Sequence, residues 1–144
     1  MIPKGSRVLL DTVALVYFLG QNPRYAKPAE AIFRRIESGE LQGVMASLVF
    51  AELLVPLFRA GDHSAATGLT HRLSHFHNLE VIPLTTEINR EAARLRADHG
   101  LRTPDAIHAA TALMTQASGV LTNDKRLQVL KQEGLSIWLF DTLA

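Results

Sequence analysis

The chain has no cysteine, so disulfides and thiolate metal sites are excluded at once. Aromatic residues make up only 6% of the 144 positions, and the six phenylalanines and single tryptophan are not interleaved with basic runs. That removes the stacking platforms of general single-strand binders, and Phe33, Phe50, Phe58 and Trp138 read as core. A formal net charge of +1 gives no basis for strong non-specific attraction to polyanions. No glycine-rich phosphate loop of the GxxxxGK or GxGxxG kind occurs. Nor is there an apolar run long enough to span a bilayer, and MIPKGSRVLLD has none long enough for a secretion signal. A soluble, cytoplasmic chain with no membrane association is the expectation.

What remains is 47% hydrophobic, enough for a substantial core, and its length fits one domain spanning residues 1–144. Short apolar runs alternate with helical patterns. RVLL, GVMA, LEVIPL, GVLT and LSIWLF read as strands. DTVALVYFLG, TTEINREAARLRADHG, TPDAIHAATALM and DKRLQVLKQEG read as helices between them. Pro28 falls in a first helical turn, Gly39 and Gly100 at helix ends, and Pro56 should kink or end the helix that begins near Ser47, its expected N-cap. Thr103 is the expected cap of the helix opened by Pro104. Such alternation predicts a three-layer α/β/α fold around a mainly parallel sheet.

The informative residues are acids. Asp11 directly follows the first strand, and Asp124 follows the GVLT strand just after Thr122 and Asn123. Asp105 lies in a first helical turn, and Glu52 lies inside SLVFAELLVPLF, where it is the only charge. In a parallel α/β sheet, strand carboxyl ends and the starts of following helices share one edge, where ligands bind. Each aspartate has an ordinary role available: Asp11 and Asp124 as helix caps, Asp105 as a complement to the helix dipole. Glu52 has no capping role, and a carboxylate among Leu and Val needs a partner or a polar pocket. Four carboxylates on one edge would repel and raise one another's pKa values, which a hard divalent ion relieves. Mg²⁺ suits such a set best, with Mn²⁺ next, and these ions serve in-line displacement at phosphorus.

VLLDTVALVYFL, ASLVFAELL, TPDAIHAATA and VLTNDKRL, spread over nearly the whole chain, resemble the PIN-domain nucleases, most closely the VapC-type toxins of prokaryotic toxin–antitoxin pairs. The resemblance implies a metal-dependent endoribonuclease with Asp11, Glu52, Asp105 and Asp124 as catalytic and metal-binding residues. Thr122 and Ser47 are lesser candidates, as hydroxyls orienting a carboxylate or a water. It further implies an RNA substrate, a cognate antitoxin bound near the site, and a homodimer. Two other uses of the same domain are an RNA-processing nuclease without an antitoxin and a catalytically silent module that binds RNA or protein.

Other features read as ordinary structure. His71 and His75 are one helical turn apart, with His77 nearby, but no zinc-protease pattern surrounds them. His108, three residues after Asp105, reads as a hydrogen-bonded packing residue. Arg90, Arg94, Arg96 and Arg102 read as a solvated helix face. Haloacid-type phosphatases need a second aspartate two residues after the first, where this chain has Val13.

Overall fold

The five apolar runs become five strands: β1 (Arg7–Leu10), β2 (Gln42–Ala46), β3 (Leu79–Ile82), β4 (Gly119–Thr122) and β5 (Ser136–Leu139). They appear in a computed structural model that describes residues 1–20 and 22–143. Every pairing is parallel, in the order β3-β2-β1-β4-β5. Within a strand, neighbouring side chains face opposite ways. Val8, Leu10, Met45 and Leu121 therefore enter one core, whereas Leu9, Val44, Ala46 and Val120 enter another. A sheet covered on both faces requires continuous apolar runs, which is why the strands were legible in the sequence.

Helices α1 (Thr12–Leu19), α2 (Ala26–Glu37) and α5 (His63–Ser74) cover the first face. Helix α2 shows how: Ala29, Ile32, Phe33 and Ile36 recur at helical spacing and are buried together. Helices α6 (Thr86–His99) and α7 (Thr103–Met114) cover the second face. Residues 106–112 of α7 are all buried, since that helix lies between α6 and the sheet. The Thr85 hydroxyl caps α6 by accepting from the Ile88 N–H, and Gly100 closes it at φ +67°, a conformation that costs glycine nothing. Among the described residues no helix is long and apolar enough to cross a membrane.

Four local expectations change. Ser47 does not cap a helix: its backbone is already helical, its N–H extends the sheet by donating to Ile82 O at 2.9 Å, and its hydroxyl makes no cap bond. The cap position of α7 is Arg102 rather than Thr103, and its side chain, having no acceptor, leaves the cap unfilled. Pro56 divides its segment into α3 (Leu48–Leu53) and α4 (Val55–Arg59). No residue of α4 is buried, so Phe58 is 51% exposed instead of in the core. Finally, residues Lys125–Glu133 form a 3₁₀ helix. Its buried anchors Leu127 and Leu130 repeat every three residues, and nine residues at the 3₁₀ rise span about 18 Å rather than about 14 Å, a useful reach for so short a crossover. Leu139 ends the last strand, and Phe140 opens a one-turn helix, α8 (Phe140–Leu143).

Candidate active site

In the order β3-β2-β1-β4-β5, connections leave β1 towards β2 on one side and return at β4 on the other, so the order reverses between β1 and β4. Ligand crevices of open parallel sheets lie at the carboxyl ends flanking such a reversal. A crevice of about 570 Å³ occupies this place. Asp11, Glu52, Asp105, Asp124 and Thr122 all line it, and Ser47 does not. Arg102, Lys125 and Arg126 line it as well.

The β1–β4 register explains the centre of the site. Leu10 pairs with Leu121, and the Asp11 N–H continues the ladder by donating to Leu121 O at 3.1 Å. Asp11 is thereby set beside Thr122, whose hydroxyl donates to Asp11 Oδ2 at 2.7 Å. The other oxygen, Oδ1, accepts from the Thr12 N–H at 2.8 Å, so Asp11 caps α1 while it faces the crevice. Asp124 is likewise both cap and crevice wall: its side chain accepts from the Arg126 N–H, and its own N–H donates to Thr122 Oγ1 at 3.1 Å. Capping and a place in the site are compatible roles, not rival ones.

Glu52 projects from α3 towards α1 and α7. Its Oε1 accepts from the Thr12 hydroxyl at 2.6 Å and lies 3.2 Å from His108 Nε2. The same Nε2 lies 3.6 Å from Asp11 Oδ1. His108 is only 2% exposed, so the imidazole is fixed beneath the two carboxylates, and its Nδ1 has no partner among the described residues. Sequence reasoning placed His108 on the Asp105 face of its helix but assigned it to packing. Its contact with Glu52, 56 positions away, exists only once α3 crosses α7.

Crowding alone would raise Glu52 and Asp124 as well as Asp11, and this is not what their surroundings do. Asp11 is raised, mainly because burial penalises its charge; His108, the Thr122 hydroxyl and the Thr12 N–H offset part of this, and Asp105 adds only a small push upward. Glu52 is lowered, chiefly by the hydrogen bond from His108. Asp124 is lowered, chiefly by the hydrogen bonds from Arg126. Asp105 is paired with Arg102, Nε to Oδ2 at 3.1 Å. The crevice thus has its own cations. Arg102 therefore belongs to the crevice and not to a solvated helix face, and Arg126, two residues after Asp124, joins it there. Arg94 does lie on such a face, held by Glu91, Asp98 and Glu133. His71 and His75 stack on each other at 4.2 Å and line a different depression.

The model of the PIN domain family matches residues 8–132. This chain belongs to the PIN-domain family. The solved structures similar to this PIN domain include VapBC2 of Rickettsia felis bound to a promoter DNA fragment, at 17% identity, 92% of this chain and 98% of that chain, with a TM-score of 0.71. Others are FitAcB of Neisseria gonorrhoeae, at 18% identity, 92% and 97% coverage and a TM-score of 0.67, and VapBC-1 of nontypeable Haemophilus influenzae, at 17% identity, 94% and 98% coverage and a TM-score of 0.64. At these identities the likeness is one of fold. No curated relative matches the sequence at a significant level.

Carboxylate oxygens are hard donors, and the PIN domain offers four such groups with no sulfur among them, which fits Mg²⁺ or Mn²⁺ by donor chemistry. Among the described residues, no three His, Asp or Glu side chains converge as they stand on a common metal position. Arginines rest on Asp105 and Asp124 instead.

Proposed function

We propose that this PIN domain is a Mg²⁺- or Mn²⁺-dependent endoribonuclease and the toxin of a toxin–antitoxin pair. The observation that carries the reading is the gathering of Asp11, Glu52, Asp105 and Asp124 in one crevice at the reversal of strand order, with Arg102, Lys125 and Arg126 on its walls. Caps and surface charges alone would not bring Glu52 there from the middle of an apolar segment. Those four carboxylates would hold the ion. When bound, it supplies Lewis acidity towards the scissile phosphate and an acidified water for in-line attack.

The protein's own part is orientation. Thr122 fixes Asp11, and Thr12 and His108 fix Glu52, so each carboxylate keeps its direction when the site is loaded. The basic side chains offset the acids' repulsion of a polyanionic strand, so RNA phosphates can approach. The likeness to VapC-type toxins supports RNA as the substrate, an antitoxin as the inhibitor and pairing of two copies. Val16 and Phe58, 46% and 51% exposed on α1 and α4, are apolar groups that such partners would cover.

The test is expression of the chain alone, with RNA integrity followed over time, beside an Asp105→Asn variant. Growth arrest with RNA cleavage from the wild type, relieved in a well-folded variant, is expected. Equal arrest from both proteins would remove the nuclease reading. A short reading frame for a DNA-binding protein next to this one would separate a toxin from an RNA-processing enzyme.

A further inference from the structure

Two of the four carboxylates each carry an arginine that is a near neighbour in sequence. Arg126 grips Asp124 as a fork, with Nε 3.0 Å from Oδ1 and 3.1 Å from Oδ2, and Nη2 2.6 Å from Oδ2. Arg102 Nε donates to Asp105 Oδ2 at 3.1 Å. Both arginine side chains are 65% exposed, whereas Asp105 and Asp124 are 14% and 27% exposed. The cations therefore cover the acids from the solvent side. Asp11 and Glu52, in contrast, are held from within by Thr12, Thr122 and His108.

We infer that Arg102 and Arg126 are exchangeable counterions: they neutralise Asp105 and Asp124 in the metal-free chain, and when a divalent cation takes those carboxylates they swing outward onto substrate phosphates. This inference rests on the nuclease reading above and deepens it, because it makes metal binding and RNA binding mutually reinforcing.

Three considerations support it. An exposed ion pair favours its bound geometry by only about two- to fivefold, so a divalent cation shared by several carboxylates displaces it readily. The guanidinium fork fits a phosphate as well as it fits a carboxylate, so a displaced arginine has an equivalent partner waiting on the substrate. Charge also demands the exchange. Four carboxylates face three cationic side chains in the crevice. A divalent ion turns that balance positive, which repels arginines still seated on the acids and attracts a polyanion.

The experiment has two readouts, neither of them turnover. Calorimetric titration with Mn²⁺ alone measures metal affinity. Fluorescence anisotropy of a labelled 2′-O-methyl phosphorothioate oligonucleotide, with and without Mn²⁺, measures strand binding. Arg102→Ala and Arg126→Ala should each tighten Mn²⁺ by about threefold, and the double variant by about tenfold, because the competitor is gone. In the wild type Mn²⁺ should strengthen oligonucleotide binding about tenfold, and linkage requires the oligonucleotide to strengthen Mn²⁺ equally. In the double variant that mutual gain should fall below about twofold. Lys125→Ala removes a positive charge from the same crevice without removing either pair; it should weaken the oligonucleotide and leave Mn²⁺ nearly unchanged.

Unchanged or weaker Mn²⁺ binding in the double variant would overturn the inference. So would a mutual gain that survives there, or a Lys125→Ala protein that behaves like the double variant. Wild-type Mn²⁺ binding that Asp11→Asn abolishes, with both arginine variants indistinguishable from wild type, would defeat this inference and spare the nuclease reading. A wild type that binds no Mn²⁺ would defeat both.

Discussion

Replacing Asp11 by Asn tests whether the crevice is built for binding at the expense of stability. The Asp11 side chain is only 13% exposed, and burial pushes its carboxyl above the ordinary 3.8. Asn keeps the geometry: one oxygen still accepts from the Thr12 N–H, and the amide can donate to Thr122 Oγ1 once that hydroxyl rotates. Without metal, Asp11→Asn should therefore melt at or above the wild type at neutral pH. The pH dependence follows from the sign of the shift. A raised folded-state pKa means that protonation favours the folded wild type at low pH, and that contribution is lost as pH rises through the folded value. The advantage of the variant should thus be largest at pH 7 and vanish below about pH 3.8. Metal reverses the order. At free Mn²⁺ of about 100 times Kd, binding stabilises the wild type by about 2.7 kcal/mol. For 144 residues the unfolding entropy is about 0.3 kcal/mol/K, so the melting temperature should rise by about 9 °C. If the variant binds about a hundredfold more weakly, the same Mn²⁺ gives about 0.4 kcal/mol, a shift of about 1 °C. The assay is a pair of thermal melts, in EDTA and in Mn²⁺, for each protein. A variant melting several degrees below wild type in EDTA, or rising by the same 9 °C, would refute the reasoning.

Glu52→Gln should behave oppositely in EDTA, losing on the order of 1 kcal/mol in a urea titration, since His108 and Thr12 favour the ionised Glu52 carboxylate. His108→Leu should keep the fold by circular dichroism but lower the RNA cleavage rate by about 10- to 100-fold, because Glu52 loses its inner support. Glu133 is lowered to about 2 by Arg94 and His99, so its contribution to stability is present above its ordinary 4.5 and lost as pH falls towards 2. Acid titrations of wild type and Glu133→Gln should accordingly converge near pH 2 and separate above pH 4.5, and parallel curves would exclude this role. At Gly119 an added Cβ would stand 2.3 Å from Ser136 O and 2.8 Å from the Trp138 ring, so Gly119→Ala should destabilise by about 1–3 kcal/mol in the same urea assay.

The sequence revealed most where one residue's chemistry constrained one place. Buried parallel strands must be apolar throughout, so RVLL and GVLT were legible, and acids directly after them were bound to share an edge. Contacts made by crossing elements were not. His108 needed α3 to bring Glu52 within 3.2 Å, and nothing in the spacing of TPDAIHAATA specifies that. Ser47 failed as a cap because its backbone is already helical, at φ −59° and ψ −20°, where the extended geometry that lets a hydroxyl reach back to the first helical N–H groups is absent. Phe58 failed as core because Pro56 turns α4 away from the buried layer. The lowering of Glu52 and Asp124 was hidden for the same reason: repulsion among acids can be counted from sequence, but the guanidinium and imidazole groups answering it cannot be placed.

The bond from Thr122 to Asp11 joins positions 111 apart, across neighbouring strands made far apart in time during synthesis. At about 5–20 residues per second, roughly 6 to 22 s separate the appearance of the two partners on a ribosome. During that interval the emerging chain holds Asp11 and Glu52 but neither β4 nor Arg126, so the crevice has one wall. On the reading proposed above, a nuclease assembled this way has no complete crevice until Thr122, Asp124 and Arg126 have been made. An inhibitor made first would have that whole interval in which to meet it.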